Sequence, residues 1–142
     1  MEPLFPFIWN VLHDGEVERI VGSVPGDVRV HVGIEYLRER FSDDGDQIVV
    51  CFSGCTKFSH RLYDAENAVK DFTSIANESG TILSAEMHDS VCRVFTDLGV
   101  LEMQCRGGSV SLDSGRAISL NELLSVAETY WDEWESNSKR EQ

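Results

Sequence analysis

The chain has 142 residues, 42 % of them hydrophobic, which suits one domain that buries about two thirds of the surface its unfolded form exposes. Its 25 acidic residues against 12 basic ones give a net charge of −13, and such a surface repels phosphate backbones and anionic lipid headgroups, so nucleic acid and membrane are excluded as partners. No apolar run approaches the roughly 20 residues of a membrane-spanning helix, and the N-terminus carries Glu2, Pro3 and Pro6 where a signal peptide would have basic residues; a cytoplasmic protein is expected.

Phe7 to His13 mixes apolar and aromatic residues and stops at Asp14-Gly15, a pair that tolerates positive φ; a first strand and a hairpin into Glu16 to Val24 are expected. Pro25-Gly26 makes the next turn. Val28, Val30, Val32, Ile34 and Tyr36 then alternate with Arg29, His31, Gly33 and Glu35, the pattern of a half-buried antiparallel strand. Leu37 to Phe41 extends it or curls into a helical turn before the acidic loop Ser42 to Asp46, which lacks a calcium-loop pattern and reads as a hydrated turn.

Ile48 to Phe52 is an unbroken apolar run, bounded by Asp43-Asp44-Gly45-Asp46 and Ser53-Gly54. It reads as a central strand, and being apolar at every position it needs cover on both faces. Phe58 to Tyr63 continues it past a bulge at Gly54 or forms a further strand. From Asp64 the period becomes helical through Ala65, Ala68, Val69, Phe72, Ile75 and Ala76, with Asp64 as N-cap and Gly80 closing a short amphipathic helix. Four short strands follow, at Thr81 to Met87, Val91 to Asp97, Val100 to Cys105 and Ser109 to Asp113.

Ser119-Leu120-Asn121-Glu122 fits a capping box and opens a helix to about Glu135. Leu120, Leu123, Leu124, Ala127, Tyr130, Trp131 and Trp134 form its apolar stripe, so Leu124→Ala should cost about 2–5 kcal/mol. The pattern adds up to one α+β domain over residues 1–135 with a polar, frayed tail over 136–142. A twisted, mostly antiparallel sheet of about seven to nine strands, curled or split in two, has the C-terminal amphipathic helix packed on one face and one short middle helix.

Cys51, Cys55, Cys92 and Cys105 all lie in strand-like apolar surroundings without a secretion signal, and are expected to be reduced core thiols. Cys51 and Cys55 would stand about 13 Å apart on a regular strand, too far to share a metal ion unless Gly54 bulges. No metal or other cofactor is called for. His13, Asp14 and Glu16 carry the usual acid–base and metal-binding groups, but adjacent residues at a hairpin point apart, and His31, His60 and His88 are scattered. There is no nucleophile elbow and no glycine-rich phosphate loop.

Asp132, Glu133, Trp134 and Glu135 combine aromatic area with acids in a last helical turn whose dipole prefers cations, and are the candidates for partner binding. Two readings of function remain. One is a non-enzymatic acidic module that binds a basic protein, as a monomer or weak homodimer; the other is a small-molecule-binding or hydrolytic domain with a pocket near His13, Asp14 and Glu16.

The run His13-Asp14-Gly15-Glu16-Val17, the alternating strand Val28 to Tyr36, Phe52-Ser53-Gly54-Cys55 followed by Phe58, and Tyr63-Asp64 ahead of Asn67, Val69 and Asp71 resemble a pattern in small bacterial β-rich proteins. The pattern is similar to some immunity proteins of bacterial toxin systems and covers about the first half of the chain. The resemblance implies a non-enzymatic protein that binds and neutralises a toxin, and the acidic surface would suit a basic nuclease toxin. The Trp-rich C-terminal helix lies outside the pattern, and no toxin-contact residue carries over.

Overall fold

A computed structural model describes residues 4–140. The chain opens with a helix, α1 (Leu4–Val11), where a strand is expected from the sequence. Pro6 falls in the first turn, where its missing N–H would have had no partner, and Ile8, Trp9 and Leu12 share one fully buried face. Asp14 turns left-handed at φ 73° and ends the helix, so Asp14-Gly15 stops a helix and does not turn a hairpin. A Cβ on Gly15 would stand 2.7 Å from Val32 Cγ1, which leaves glycine as the residue that fits there.

The remaining elements are β1 (Glu16–Gly22), β2 (Gly26–Gly33), the helical turn α2 (Glu35–Arg38), β3 (Gln47–Cys55), β4 (Lys57–Leu62), α3 (Phe72–Glu78), β5 (Ile82–His88), β6 (Val91–Thr96), β7 (Gly99–Gln104), β8 (Gly107–Leu112), β9 (Ala117–Ile118) and α4 (Leu120–Arg140). They build two antiparallel sheets, one of five strands in the order β1-β2-β3-β8-β9 and one of four in the order β4-β7-β6-β5. The fold is α+β, and of the two arrangements left open by the sequence, a curled sheet or one split in two, the protein has the second.

One two-stranded ribbon belongs to both sheets. β3 pairs with β8 in the first, and their continuations β4 and β7 pair in the second. At the join Gly54 adopts φ 59°, and Thr56 N–H donates to the Gln104 carbonyl (2.8 Å) although Lys57 is the residue in register with Gln104. Two residues thus face one, and the bulge bends the ribbon from one sheet into the other. On the far side Asp14 N–H and Ile82 N–H bond Ile82 O and Gly15 O, each at 2.8 Å, so the start of β1 meets the start of β5.

The bend also decides the cysteines. Cys55 and Cys105, on its two strands with Cα atoms 4.0 Å apart, form a disulfide, which corrects the expectation of four reduced thiols. Cys92 is a free buried thiol pushed up to about 12 by burial, and Cys51 is free and half-buried. Strand order brings together two residues 50 apart in sequence, which no local pattern records.

The middle helix begins later than its period suggests. Val69 N–H and C=O pair with His60 O and N–H at 2.7 and 2.9 Å, holding the segment before the helix against the edge of β4. Asp71, not Asp64, is therefore the N-cap, its Oδ2 accepting from Ser74 N–H at 3.0 Å. α4 is longer than expected and stays helical through Arg140; of the tail expected to fray, residues 141–142 lie outside the described range. Its deepest residues are Leu123 (1 % exposed) and Ala127, while Leu124 is only half-buried. Ser119 Oγ accepts from Glu122 N–H (3.0 Å), but the Glu122 carboxylate turns to Arg116 and the capping box is half made.

The core lies between the sheets. Val28, Val30 and Val32 of β2, Ile48, Val50 and Phe52 of β3 and Leu101 and Met103 of β7 are almost wholly buried in it. Trp9 of α1 stacks on Phe52 with centroids 5.8 Å apart while α1 itself packs on β5 and β6, so this helix fills the space between the layers. Asn10 also covers the β5 edge, its side chain accepting from Ala85 N–H (2.9 Å) and donating to Ala85 C=O (3.1 Å) as a neighbouring strand would. Among the described residues, α2 meets β3 at the strand's start. Val49 is 5 % exposed, between its cross-strand neighbours His31 and Ser111.

Candidate functional site

α2 is a single turn, and one buried arginine holds it. Arg38 is 1 % exposed; its Nε donates to Asp113 Oδ1 (2.9 Å) and Gln47 O (3.1 Å), Nη1 to Asp43 O (2.8 Å) and Nη2 to Asp44 O (3.0 Å). Asp113 Oδ2 accepts in turn from the backbone N–H groups of Asp46 (3.0 Å) and Gln47 (3.2 Å). Burial opposes ionisation of Asp113, but those N–H groups and the Arg38 guanidinium outweigh it and hold the carboxyl below its usual range. The acidic loop is thus a folded cap on Arg38 and Asp113. Asp43 is bound as well, its carboxyl lowered by hydrogen bonds from Arg116 and Ser114.

This anchoring sets Tyr36 and Arg40 against α4. Tyr36 lies 4.4 Å from Tyr130 and 5.8 Å from Trp131 between ring centroids, Trp131 stacks on His13 at 5.1 Å, and Trp131 meets Trp134 edge-on at 5.8 Å. Tyr36 OH donates to His13 C=O (2.8 Å), and burial, then the charge of Asp14, then Tyr130 push its pKa upward. The Arg40 guanidinium lies 5.3 Å from the Tyr130 ring centroid and its Nη2 donates to Glu133 Oε2 at 2.6 Å. That hydrogen bond lowers the Glu133 pKa. The array ends at Trp134, 54 % exposed.

The residues singled out in the sequence therefore separate. Trp134 is exposed at the end of the array, and Asp132 and Glu135 are exposed on the same final stretch of helix. Glu133 is tied to Arg40 and fastens α4 to α2. His13 belongs to the same array, its Nδ1 bonded to the Asn10 carbonyl at 2.7 Å and its ring covered by Trp131. Asp14 lies 4.0 Å from His13 Nε2, while Glu16 opens β1 as a bridge to Thr81. Among the described residues, none of these three lines a pocket, and a bonded, stacked imidazole is poorly placed as a general base. Among the described residues no three His, Cys, Asp or Glu side chains are grouped to hold a metal ion.

Tyr36 and Arg40 were not among the sequence candidates. The alternation carries Tyr36 into β2 as one more inward residue, and only the helical turn at Glu35 swings it towards α4. His31 and His60 do not meet: His31 lies on the outward side of the five-stranded sheet with its Nδ1 3.0 Å from Gln47 Oε1, whereas His60 is 1 % exposed between the layers and burial lowers its pKa.

Neither protein-family models nor curated proteins match this chain. Function must be argued from the site alone. Its chemistry is that of contact: rigid rings, one exposed tryptophan and carboxylates around them. Among the described residues no helix is long and apolar enough to cross a membrane.

Proposed function

We propose that this protein is a non-enzymatic binding module that holds a basic protein partner against the end of α4, in the manner of an immunity protein neutralising a cationic toxin. The observation that carries the reading is Trp134, half-exposed at the tip of an array whose other rings are locked by stacking and hydrogen bonds. Tryptophan, tyrosine and arginine are the residues on which binding energy concentrates, and rings held in place before contact lose little entropy when a partner arrives. Asp132 and Glu135 add exposed carboxylates to the same last turns of α4, and a net charge of −13 attracts a cationic partner. The same charge disfavours a second copy of the chain, since like fields repel. A monomer acting in the cytoplasm is part of this proposal.

The test is a pull-down from the source cells at two salt concentrations with wild type, Trp134→Ala and Asp132→Ser/Glu135→Ser. A basic protein retained by wild type, lost with either variant and weakened by salt is expected. An identical set of captured proteins with all three would defeat the proposal. Glu133 is left intact because it ties α4 to α2, and its loss would mix stability with binding.

A further inference from the structure

Away from α4, the β1–β2 turn, the start of β4 and the residues leading into α3 enclose a cleft of about 880 Å³, within the range of small-molecule sites. Its apolar surface comes from Phe58 and Phe72, edge-on at 5.5 Å, and from Val24 and Pro25 opposite. Two of the 12 basic residues line it, Lys57 and Lys70. Lys57 has only an exposed contact with Glu102 at 3.6 Å, and the Lys70 side chain makes no ion pair or hydrogen bond among the described residues. The one lining carboxylate, Asp71, is committed to Ser74 N–H and Oγ at 3.0 and 2.9 Å. The lining thus carries two ammonium groups against one carboxylate, the reverse of the chain's overall balance, with Glu102 beside Lys57 at its rim.

Two further polar groups serve the cleft. Ser59 is 4 % exposed, and its hydroxyl has no hydrogen-bond partner among the described residues. His60 spends its backbone N–H and C=O on Val69 at the outer edge of β4, so by the alternation of an antiparallel ladder those of Phe58, two residues away, also point outward. A donor and an acceptor on the chain therefore stand beside the Phe58 ring.

We propose that this cleft binds a small amphipathic anion, a carboxylate or sulfonate on a compact apolar body, with its headgroup between Lys57 and Lys70 and its body against Phe58 and Phe72. The site is independent of the partner face on α4. Octanoate and naphthalene-2-sulfonate, with octylammonium as the oppositely charged control, are titrated into the ¹⁵N-labelled protein and followed by amide shifts. Both anions should move the amides of Ser23, Val24 and Gly26 and of residues 56–59 and 70–72 at millimolar concentration or below, octylammonium should not, and Lys57→Gln/Lys70→Gln should weaken the anions at least tenfold. These lysines lie outside the core, so the variant should keep its amide dispersion and its behaviour in the α4 pull-down. Shifts that spread elsewhere, equal affinity in the double variant, equal binding of octylammonium, or an acidic peptide that shifts these amides when both small anions fail would each overturn the proposal.

Discussion

Arg38→Met removes the cation that organises α2 and the acidic loop while keeping much of the side chain's length. The Asp113 carboxylate, 18 % exposed, would lose its partner, and the carbonyls of Asp43, Asp44 and Gln47 would lose a donor. Breaking a buried ion pair from one side costs about 3–5 kcal/mol. Each carbonyl would add about 1–3 kcal/mol if it stayed dry, but the loop is exposed enough for water to replace most of that. The net expectation is about 3–5 kcal/mol, a large share of the roughly 5–15 kcal/mol by which such domains are stable. With a urea slope of about 2 kcal/mol per M, the unfolding midpoint should fall by roughly 2 M. Asp113→Asn should cost less, about 1.5–3 kcal/mol, and the double variant less than the sum, because both changes break one network. The acid side gives a second reading. A carboxyl whose folded pKa is depressed stabilises the fold above its unfolded pKa, near 3.9, and that contribution is lost as pH falls through the folded value. Asp113→Asn should remove this part of the acid slope. A shift under about 0.5 kcal/mol for Arg38→Met, or an unchanged acid slope in Asp113→Asn, would refute the reasoning.

Leu123→Ala should cost about 2–5 kcal/mol by urea unfolding and Leu124→Ala clearly less than the same range, which the helical stripe suggests for it, because Leu123 is the buried one. Reducing Cys55–Cys105, or replacing both by Ala, should destabilise by about 4 kcal/mol on the chain-entropy account of a loop of 50 residues, measured with and without dithiothreitol. His60 is held below its ordinary 6.5 by burial, against a weaker pull from Glu78, so the unfolded chain takes up more protons below that value. Its contribution is flat above about pH 7 and destabilises as pH falls from there towards the folded pKa; His60→Leu should flatten this segment of a stability-against-pH curve. Trp134→Ala should leave stability within about 0.5 kcal/mol, since the ring is half-exposed, and an intact thermal midpoint alongside lost partner capture would separate its role from packing.

What the sequence by itself determined is local. Alternation from Val28 to Val32 sets a half-buried strand, the unbroken run Ile48 to Phe52 sets the central one, and Ser119 sets the start of the last helix, because side-chain direction and caps depend on neighbours a few residues away. Phe7 to His13 reads as a strand where the structure has helix α1: in so short an apolar run the period does not separate the two, and burial of Ile8, Trp9 and Leu12 between two sheets selected the helix. Only tertiary structure decided the rest. The bend at Gly54 joined Cys55 to Cys105, Asp113 reached Arg38 from the far end of β8, and the turn at Glu35 set Tyr36 against α4. The acids and tryptophan of α4 were legible as a patch, but their separation into a fastening Glu133 and an exposed Trp134 depends on Arg40, 93 residues from Glu133. Such pairings follow from strand order and helix docking, which are settled by the total area buried and not by any one segment's preference.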